Sequence, residues 1–187
     1  MFASCWLLVK KINQQQITQN FFMKTLILIR HAKSSWANIG QSDFDRPLNE
    51  RGQKDAPEMA RRLVEKKLRV EQIVHSGSVR TTETMNLFRK VLGLDKKFCI
   101  SIQELYHASV FQLEETVSVL DDRYDTIALI GHNPGITEFV NTLTNLRTDN
   151  MPTCAMFAVR VDTQSWRTFQ QAEKTFLFYD YPKQGIR

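Results

Sequence analysis

The sequence predicts an α/β protein in which helices cover both faces of a mainly parallel β-sheet, a three-layer α-β-α sandwich. Residues 25–30 and 126–130 are uniformly apolar, as expected for strands that are buried on both faces. Segments with apolar residues at helical spacing alternate with such runs along the chain. Repeated strand–helix pairs favour a parallel sheet, because each helix returns the chain to the start of the next strand.

The first 22 residues differ from the rest of the chain. The apolar run 2–9 is too short to span a membrane, and its positive charges, Lys10 and Lys11, follow it instead of preceding it as in a signal peptide. The strand–helix pattern begins only after Met23. We expect residues 1–22 to be an extension, either disordered or the result of a misassigned start. Residues 23–182 are then one domain and residues 183–187 a short tail.

The first half of this domain is predicted to hold two strands and two helices. The strand at 25–30 leads into a polar loop, and a helix runs from Asn49, a favourable N-cap residue, to about Lys67. A short strand at 72–75 precedes a second helix, which ends at Gly93 because glycine readily adopts the left-handed conformation that terminates helices. The buried stripe expected on the first helix is Ala56, Met59, Ala60, Leu63 and Val64.

The second half is predicted to continue the alternation and then close the sheet. A short strand at 98–100 is followed by a helix marked by Leu113, Val117 and Leu120, and then by the strand at 126–130. Pro134 fits the first turn of the next helix, where its missing N–H costs least. Two closing strands, at 154–161 and 173–179, are expected to be partly antiparallel and near an edge of the sheet.

Composition limits the class of partner. The net charge is +5, and the first 22 residues supply two of these charges, which leaves +3 for the rest. A weak positive charge suits an anionic substrate. No basic run with interleaved aromatic residues suggests nucleic-acid binding, and no segment suggests membrane association.

Cysteine usage predicts a reducing compartment. The three cysteines, Cys5, Cys99 and Cys154, are odd in number and widely spaced, so neither a disulfide framework nor a zinc site follows. We expect a cytoplasmic protein in which Cys99 and Cys154 are buried and unreactive.

Basic and imidazole side chains follow three of the predicted strands. Arg30 and His31 come at the end of the first strand, Arg80 begins the helix after the second, and His132 follows the strand at 126–130. Because the carboxyl ends of parallel strands meet at one edge of a sheet, these four side chains can share a pocket. Guanidinium groups bind phosphate oxygens in a bidentate manner. The sequence therefore predicts a phosphate site at this edge.

The motifs around these residues resemble those of the histidine phosphatase (phosphoglycerate-mutase-like) superfamily. The matching pieces, in order, are Arg30-His31-Ala32-Lys33, Arg80-Thr81-Thr82-Glu83-Thr84 and Gly131-His132-Asn133-Pro134. The resemblance covers residues 23–182, and the short body is similar to SixA-type phosphohistidine phosphatases. It implies a phosphoglycerate-mutase-like fold. One departure is Ser76-Gly77-Ser78-Val79 before Arg80, where the family usually has Ser-Pro; Ser76 is expected at the pocket rim.

The resemblance also implies roles for the site residues. His31 matches the nucleophile that becomes phosphorylated, and Arg30, Arg80 and His132 match the groups that bind the phosphoryl group and stabilise its transition state. Positioned cations of this kind supply most of the acceleration in phosphoryl transfer. We expect a metal-independent phosphatase without a cofactor, because the arginines take the place of magnesium.

Other residues near these motifs have weaker assignments. Lys33 lies at the pocket mouth or is a surface lysine, and Trp36 either closes over a substrate or anchors its loop. Glu104 is the positional candidate for the general acid that many superfamily members use on alkoxide leaving groups. His75 is expected to be structural or to lie at the pocket rim.

The resemblance and the short chain together favour one activity. Without a long insertion to form a lid, the site should be open and suited to a phosphate on a protein surface. We expect a monomeric phosphohistidine phosphatase acting on a histidine-phosphorylated protein. The alternatives are a phosphomonoesterase for a small phosphate ester and a non-catalytic phosphate-binding module.

Overall fold

The structure is a computed structural model that describes residues 23–37 and 40–184 of the chain. The expectations for residues 1–22, and for residues 185–187 of the tail, lie outside the described residues. The strands are β1 (Met23–Arg30), β2 (Gln72–His75), β3 (Cys99–Ser101), β4 (Thr126–Gly131), β5 (Met156–Asp162) and β6 (Lys174–Asp180). The α-helices are α1 (Glu50–Glu65), α2 (Val79–Leu92), α3 (Val110–Ser118) and α4 (Gly135–Leu143).

The six strands form one sheet in the order β3-β2-β4-β1-β5-β6. The pairs β1–β4, β2–β4 and β2–β3 are parallel, whereas β5 is antiparallel to both of its neighbours. The predicted mainly parallel sheet is confirmed, and so are the antiparallel pairings of the two closing strands. Five strands therefore end at the same edge of the sheet.

Helices cover both faces of the sheet, so the predicted three-layer architecture is confirmed. Alternate side chains of β1 enter opposite cores: Leu26 and Leu28 pack with α3 and α4, while Ile27 and Ile29 pack with α1 and α2. All four are fully buried. Burial of each such side chain contributes about 1.5–3 kcal/mol relative to exposure, which fixes β1 in the centre of the molecule.

Local signals set the ends of the helices beside the site. The Asn49 side chain accepts a hydrogen bond from the Gly52 amide at 2.9 Å and starts α1, and Gly93 ends α2 in the left-handed region, as predicted. The expectation that Val64 is buried is wrong, since its side chain is 49% exposed. It follows Leu63 and lies about 100° around the helix from it, beyond the stripe that faces the sheet.

No helix within the described ranges is long and apolar enough to cross a membrane.

Candidate active site

Strand register brings the two histidines of the motifs together. Arg30 at the end of β1 lies opposite Gly131 at the end of β4, and the residues that directly follow the two strands are His31 and His132. The His31 amide donates to the Gly131 carbonyl at 3.2 Å. Consequently the two imidazole rings lie side by side, with centroids 5.1 Å apart.

His31 is held in one protonation state. Its Nδ1 lies 2.8 Å from the Ala32 carbonyl, which can only accept, so Nδ1 carries the proton. Arg80 Nε donates to Nε2 at 3.3 Å, so Nε2 presents its lone pair. Burial, together with the positive charges of Arg80, Arg30 and Arg46, lowers the pKa of His31 to about 3. His31 is therefore a neutral imidazole at physiological pH.

Thr84 links the His31 segment to the helix that carries Arg80. Its hydroxyl accepts from the Ala32 amide at 3.0 Å and donates to the Arg80 carbonyl at 2.7 Å. The side chain is fully buried, as expected for a packing residue. The distance between the nucleophile candidate and the arginine is thus fixed by a direct contact between β1 and α2.

His132 is also neutral, and two neighbours orient it. Arg80 Nη2, which can only donate, lies 3.2 Å from His132 Nδ1, so the proton of His132 is on Nε2 and points to Ser76 Oγ at 2.6 Å. Burial, with the positive charge of Arg80, lowers the pKa of His132 to about 2. Ser76 is fully buried and lies beneath His132, so the expectation that it lies at the pocket rim is wrong.

Arg30 reaches the same cavity from the side of β5. Its Nη1 donates to the Met151 carbonyl at 2.6 Å and to Asn150 Oδ1 at 3.3 Å, and Asn133 also donates to Asn150. The Arg30 Nε is buried and has no hydrogen-bond partner among the described residues. A buried donor without a partner normally needs an acceptor, and an oxygen of a bound anion would provide one.

Four residues around Arg80 were not predicted from the sequence: Asp43, Arg46, Tyr106 and His107. Asp43 Oδ2 accepts from Arg80 Nη2 at 2.8 Å and from the Tyr106 hydroxyl at 2.7 Å, and it lies 3.3 Å from His107 Nε2. Its Oδ1 accepts from Arg46 Nη1 at 2.7 Å. Burial alone would raise the pKa of Asp43, but the hydrogen bonds from Tyr106, Arg46 and Arg80 outweigh it and hold the pKa well below its usual range. Asp43 is therefore an anion inside a basic site.

One signal in the sequence could have drawn attention to Asp43. It begins a charged cluster, Asp43-Phe44-Asp45-Arg46, in the loop that follows the Arg30-His31 motif, and functional residues concentrate on such loops. Which of the two aspartates turns inward is not encoded in any periodicity. No pattern in the sequence places His107 near His132.

The remaining candidates lie at or outside the cavity. Lys33 is exposed and lines its mouth, and Trp36 is 74% exposed with the Arg46 guanidinium 3.2 Å from its ring centroid. Glu104 is not brought to the site: it is exposed and lines a separate surface cavity beside Phe111 and Val119. His75 is buried and accepts a hydrogen bond from the Gly77 amide at 3.2 Å.

Neither of the two described cysteines, Cys99 and Cys154, lines the cavity. Cys154 is fully buried, and burial raises its pKa far above the usual value. Cys99 is only partly buried, which corrects the expectation that both thiols are in the core. Cys99 is the first residue of β3, an edge strand whose residues are all partly buried or exposed.

The site is a cavity of about 200 Å³ with a strongly basic lining. Its walls are Arg30, His31, Lys33, Ser34, Trp36, Asp43, Arg46, Arg80, His107, His132, Asn133 and Thr153. Within the described ranges, no group of three or more His, Cys, Asp or Glu side chains is arranged to hold a metal ion. The cavity pairs a neutral nucleophilic imidazole with guanidinium groups that suit a tetrahedral oxyanion.

Comparison with known proteins identifies a family model and relatives that match this chain. The family model described as "Histidine phosphatase superfamily (branch 1)" matches residues 26–127, more than half of the chain. An uncharacterized chloroplastic protein of Arabidopsis thaliana is 29% identical over 151 residues, which are 76% of this chain and 69% of that protein.

Solved structures share the fold at lower identity. The protein histidine phosphatase SixA in complex with tungstate is 21% identical, with a TM-score of 0.72 over 84% of this chain and 97% of that one. A mycobacterial glucosyl-3-phosphoglycerate phosphatase is 15% identical, with a TM-score of 0.65 over 84% of this chain and 99% of that one.

Proposed function

Because this chain belongs to the histidine phosphatase superfamily, we propose that it is a phosphohistidine phosphatase that acts on histidine-phosphorylated proteins. His31 is the nucleophile, and Arg30, Arg80 and His132 bind the phosphoryl group. Lys33 contributes positive charge at the mouth of the cavity. Glu104 has no part in this proposal, because its side chain is exposed and lines a different cavity.

The observation that carries this proposal is the state of His31. Its Nδ1 proton is bound by the Ala32 carbonyl, and its Nε2 lone pair faces Arg80. A neutral imidazole with an unprotonated ring nitrogen is a nucleophile, and a phosphoryl oxygen that takes over the Arg80 Nε–H donor would bring phosphorus against that lone pair. The buried, unpartnered Nε of Arg30 supplies a further donor for its oxygens.

The reaction proceeds in two displacements. Nε2 of His31 attacks phosphorus, the P–N bond to the substrate's imidazole breaks, and its electron pair leaves with that ring, which takes up a proton. Water then attacks phospho-His31, loses a proton and releases inorganic phosphate. Because Nδ1 keeps its proton on the Ala32 carbonyl throughout, His31 departs in this second step as a neutral imidazole. Arg30, Arg80 and His132 stabilise the negative charge that spreads over the phosphoryl oxygens.

The size of the cavity favours a phosphate on a protein. Pockets that enclose small molecules usually span about 300–1,000 Å³, whereas this one is about 200 Å³. A phosphoryl group and little else would be enclosed, and the rest of the substrate would remain outside, against the exposed Trp36. That arrangement suits a phosphohistidine carried by a protein surface.

Phosphate release from a histidine-phosphorylated carrier protein and from an alkyl phosphate, measured side by side, tests this proposal. We expect faster release from the phosphohistidine, with a kcat/KM ratio of at least roughly 10, because imidazole is a better leaving group than an alkoxide. His31→Ala should abolish release from both. Turnover that survives His31→Ala would refute the nucleophile, and a protein that binds phosphate without turnover would be a non-catalytic module.

A small-ester phosphomonoesterase is the second candidate. The shared fold with a glucosyl-3-phosphoglycerate phosphatase supports it. Rates on the alkyl phosphate that equal or exceed those on phosphohistidine would favour it. For either activity we propose a monomer that acts in the cytoplasm, which sedimentation and fractionation of the endogenous protein would check.

A further inference from the structure

His107 occupies an unusual position at the edge of the cavity. It is a non-glycine residue in the left-handed region, with φ of 52°, and its side chain is 52% exposed. The imidazole nevertheless lines the cavity and stacks on His132, with ring centroids 5.5 Å apart and planes inclined by 28°. A strained backbone that directs a polar side chain towards a reactive centre suggests a function for that side chain.

Asp43 orients the His107 ring. The Asp43 carboxylate lies 3.3 Å from His107 Nε2, and it is also bound by Tyr106 and Arg80. A carboxylate accepts, so Nε2 carries a proton and Nδ1 is the nitrogen available for exchange. Asp43, Tyr106 and His132 are the titratable groups that face the ring, and Arg80 lies behind Asp43.

The other titratable groups of the cavity are unsuited to donate a proton. His31 and His132 are neutral, and their N–H protons are bound by the Ala32 carbonyl and by Ser76. Asp43 is ionised and holds no proton to give. Lys33 is exposed at the mouth of the cavity, whereas His107 is in ring contact with His132.

The contacts between the rings also suit proton donation. His132 contacts both other rings, with centroid distances of 5.1 Å to His31 and 5.5 Å to His107. In an in-line displacement, the leaving atom departs on the side of phosphorus opposite the nucleophile, and the groups that bind the equatorial oxygens lie between the two. His132, which contacts both His31 and His107, is suited to bind those equatorial oxygens.

We propose that His107, oriented by Asp43, is the general acid of this site. As Nε2 of His31 forms its bond to phosphorus, the bond from phosphorus to the leaving atom breaks. The acid is the imidazolium form of His107, which transfers its Nδ1 proton to the leaving atom and becomes a neutral imidazole with Nε2–H still on Asp43. In the second step, the water that attacks phospho-His31 gives its proton back to His107. The proposal rests on the nucleophilic role of His31, but it applies equally to a phosphoramidate or an ester.

The test exploits the dependence of acid catalysis on the leaving group. His107→Asn retains a residue type that tolerates positive φ, but the amide does not transfer protons. We expect kcat/KM for an alkyl phosphate to fall roughly 100-fold, because an alkoxide leaves poorly without a proton. We expect kcat/KM for p-nitrophenyl phosphate to stay unchanged, because nitrophenolate leaves without one. An equal loss on both esters, or no loss on either, would overturn the proposal.

Two companion variants keep the outcome interpretable. Glu104→Gln tests the competing acid three residues away, and a leaving-group-selective loss there instead of at His107 would overturn the assignment. His31→Ala separates this proposal from the proposed function, because ester turnover that survives it refutes the nucleophile whatever His107 does. Since His107 is half exposed, thermal unfolding should show His107→Asn to be folded.

Discussion

At the residue scale, the site consists of histidines that folding keeps neutral. Burial lowers the pKa values of His31, His132 and His75 from 6.5 to about 3, 2 and 4. For His31 and His132 the nearby arginine charges add to this effect. The same burial that leaves the nucleophilic nitrogen of His31 unprotonated therefore makes protonation of these imidazoles unfavourable in the folded protein.

This coupling predicts that acid destabilises the fold. Between pH 6.5 and the lowered pKa values of the folded state, the unfolded chain binds more protons than the folded one. The contribution of these histidines to the free energy of unfolding is therefore complete above pH 6.5 and is lost as the pH falls below it. Each group contributes up to about 1.4 kcal/mol per pH unit. Urea unfolding at pH 7.5 and 5.0, in buffers without phosphate, should show this loss. His75→Gln should reduce it by roughly one third, as one of three such groups. Equal stability at both pH values would contradict the argument.

At the element scale, the first turns of two helices pack closely against the backbone of the loops that carry the site residues. A Cβ built on Gly52, in the first turn of α1, would lie 2.2 Å from the Lys33 carbonyl oxygen. A Cβ on Gly135, at the start of α4, would lie 1.8 Å from the Ala108 carbonyl oxygen. These are backbone contacts without space for a methyl group. The first supports the segment after His31, and the second supports the segment after His107.

Gly135→Ala should therefore displace the 106–109 segment and weaken the fold. Overpacking against a backbone atom costs about 1–3 kcal/mol, which for a chain of this size lowers Tm by roughly 2–12 °C. Gly131→Ala is the matched control, because its Cβ would meet only side chains, at 3.5 Å or more. Differential scanning calorimetry of both variants checks the expectation. A Tm for Gly135→Ala equal to that of Gly131→Ala would show that the contact relaxes without cost.

The elements that could be predicted from sequence are those with periodic or uniform apolar patterns. β1, β4, α1 and α2 have such patterns, and their ends placed Arg30, His31, Arg80 and His132 at one edge of the sheet. The loops had no comparable signal. Glu104 and His107 lie three residues apart and are both exposed, yet only His107 lines the cavity. A short 3-10 turn at Gln103–Leu105 and the positive φ of His107 separate them, and neither is readable from residue type.

At the scale of the whole molecule, the net charge of +5 is modest, while the positive charge at the site is concentrated. Arg46 and Arg80 are buried beside a cavity of about 200 Å³, and Arg30 also lines it. The Asp43 carboxylate forms ion pairs with Arg46 and Arg80 and partly neutralises them. An anion that enters the cavity must compete with Asp43 for Arg80. Binding should therefore depend on guanidinium geometry at this cavity more than on the charge of the protein as a whole.

The change in Tm on adding tungstate or inorganic phosphate separates the contribution of guanidinium geometry from that of net charge. At 100 times its dissociation constant, a bound anion stabilises the folded state by about 2.7 kcal/mol, which should raise Tm by roughly 5–11 °C. Arg80→Lys keeps the net charge but removes the planar fork that grips two oxygens, so most of this increase should disappear at the same anion concentration. Arg123→Lys is the charge-matched control, since Arg123 is exposed and paired with Asp121. Arg123→Lys could instead reduce the rise in Tm as much as Arg80→Lys does. The anion would then be responding to the net charge of the protein, and the cavity would not be the phosphate site.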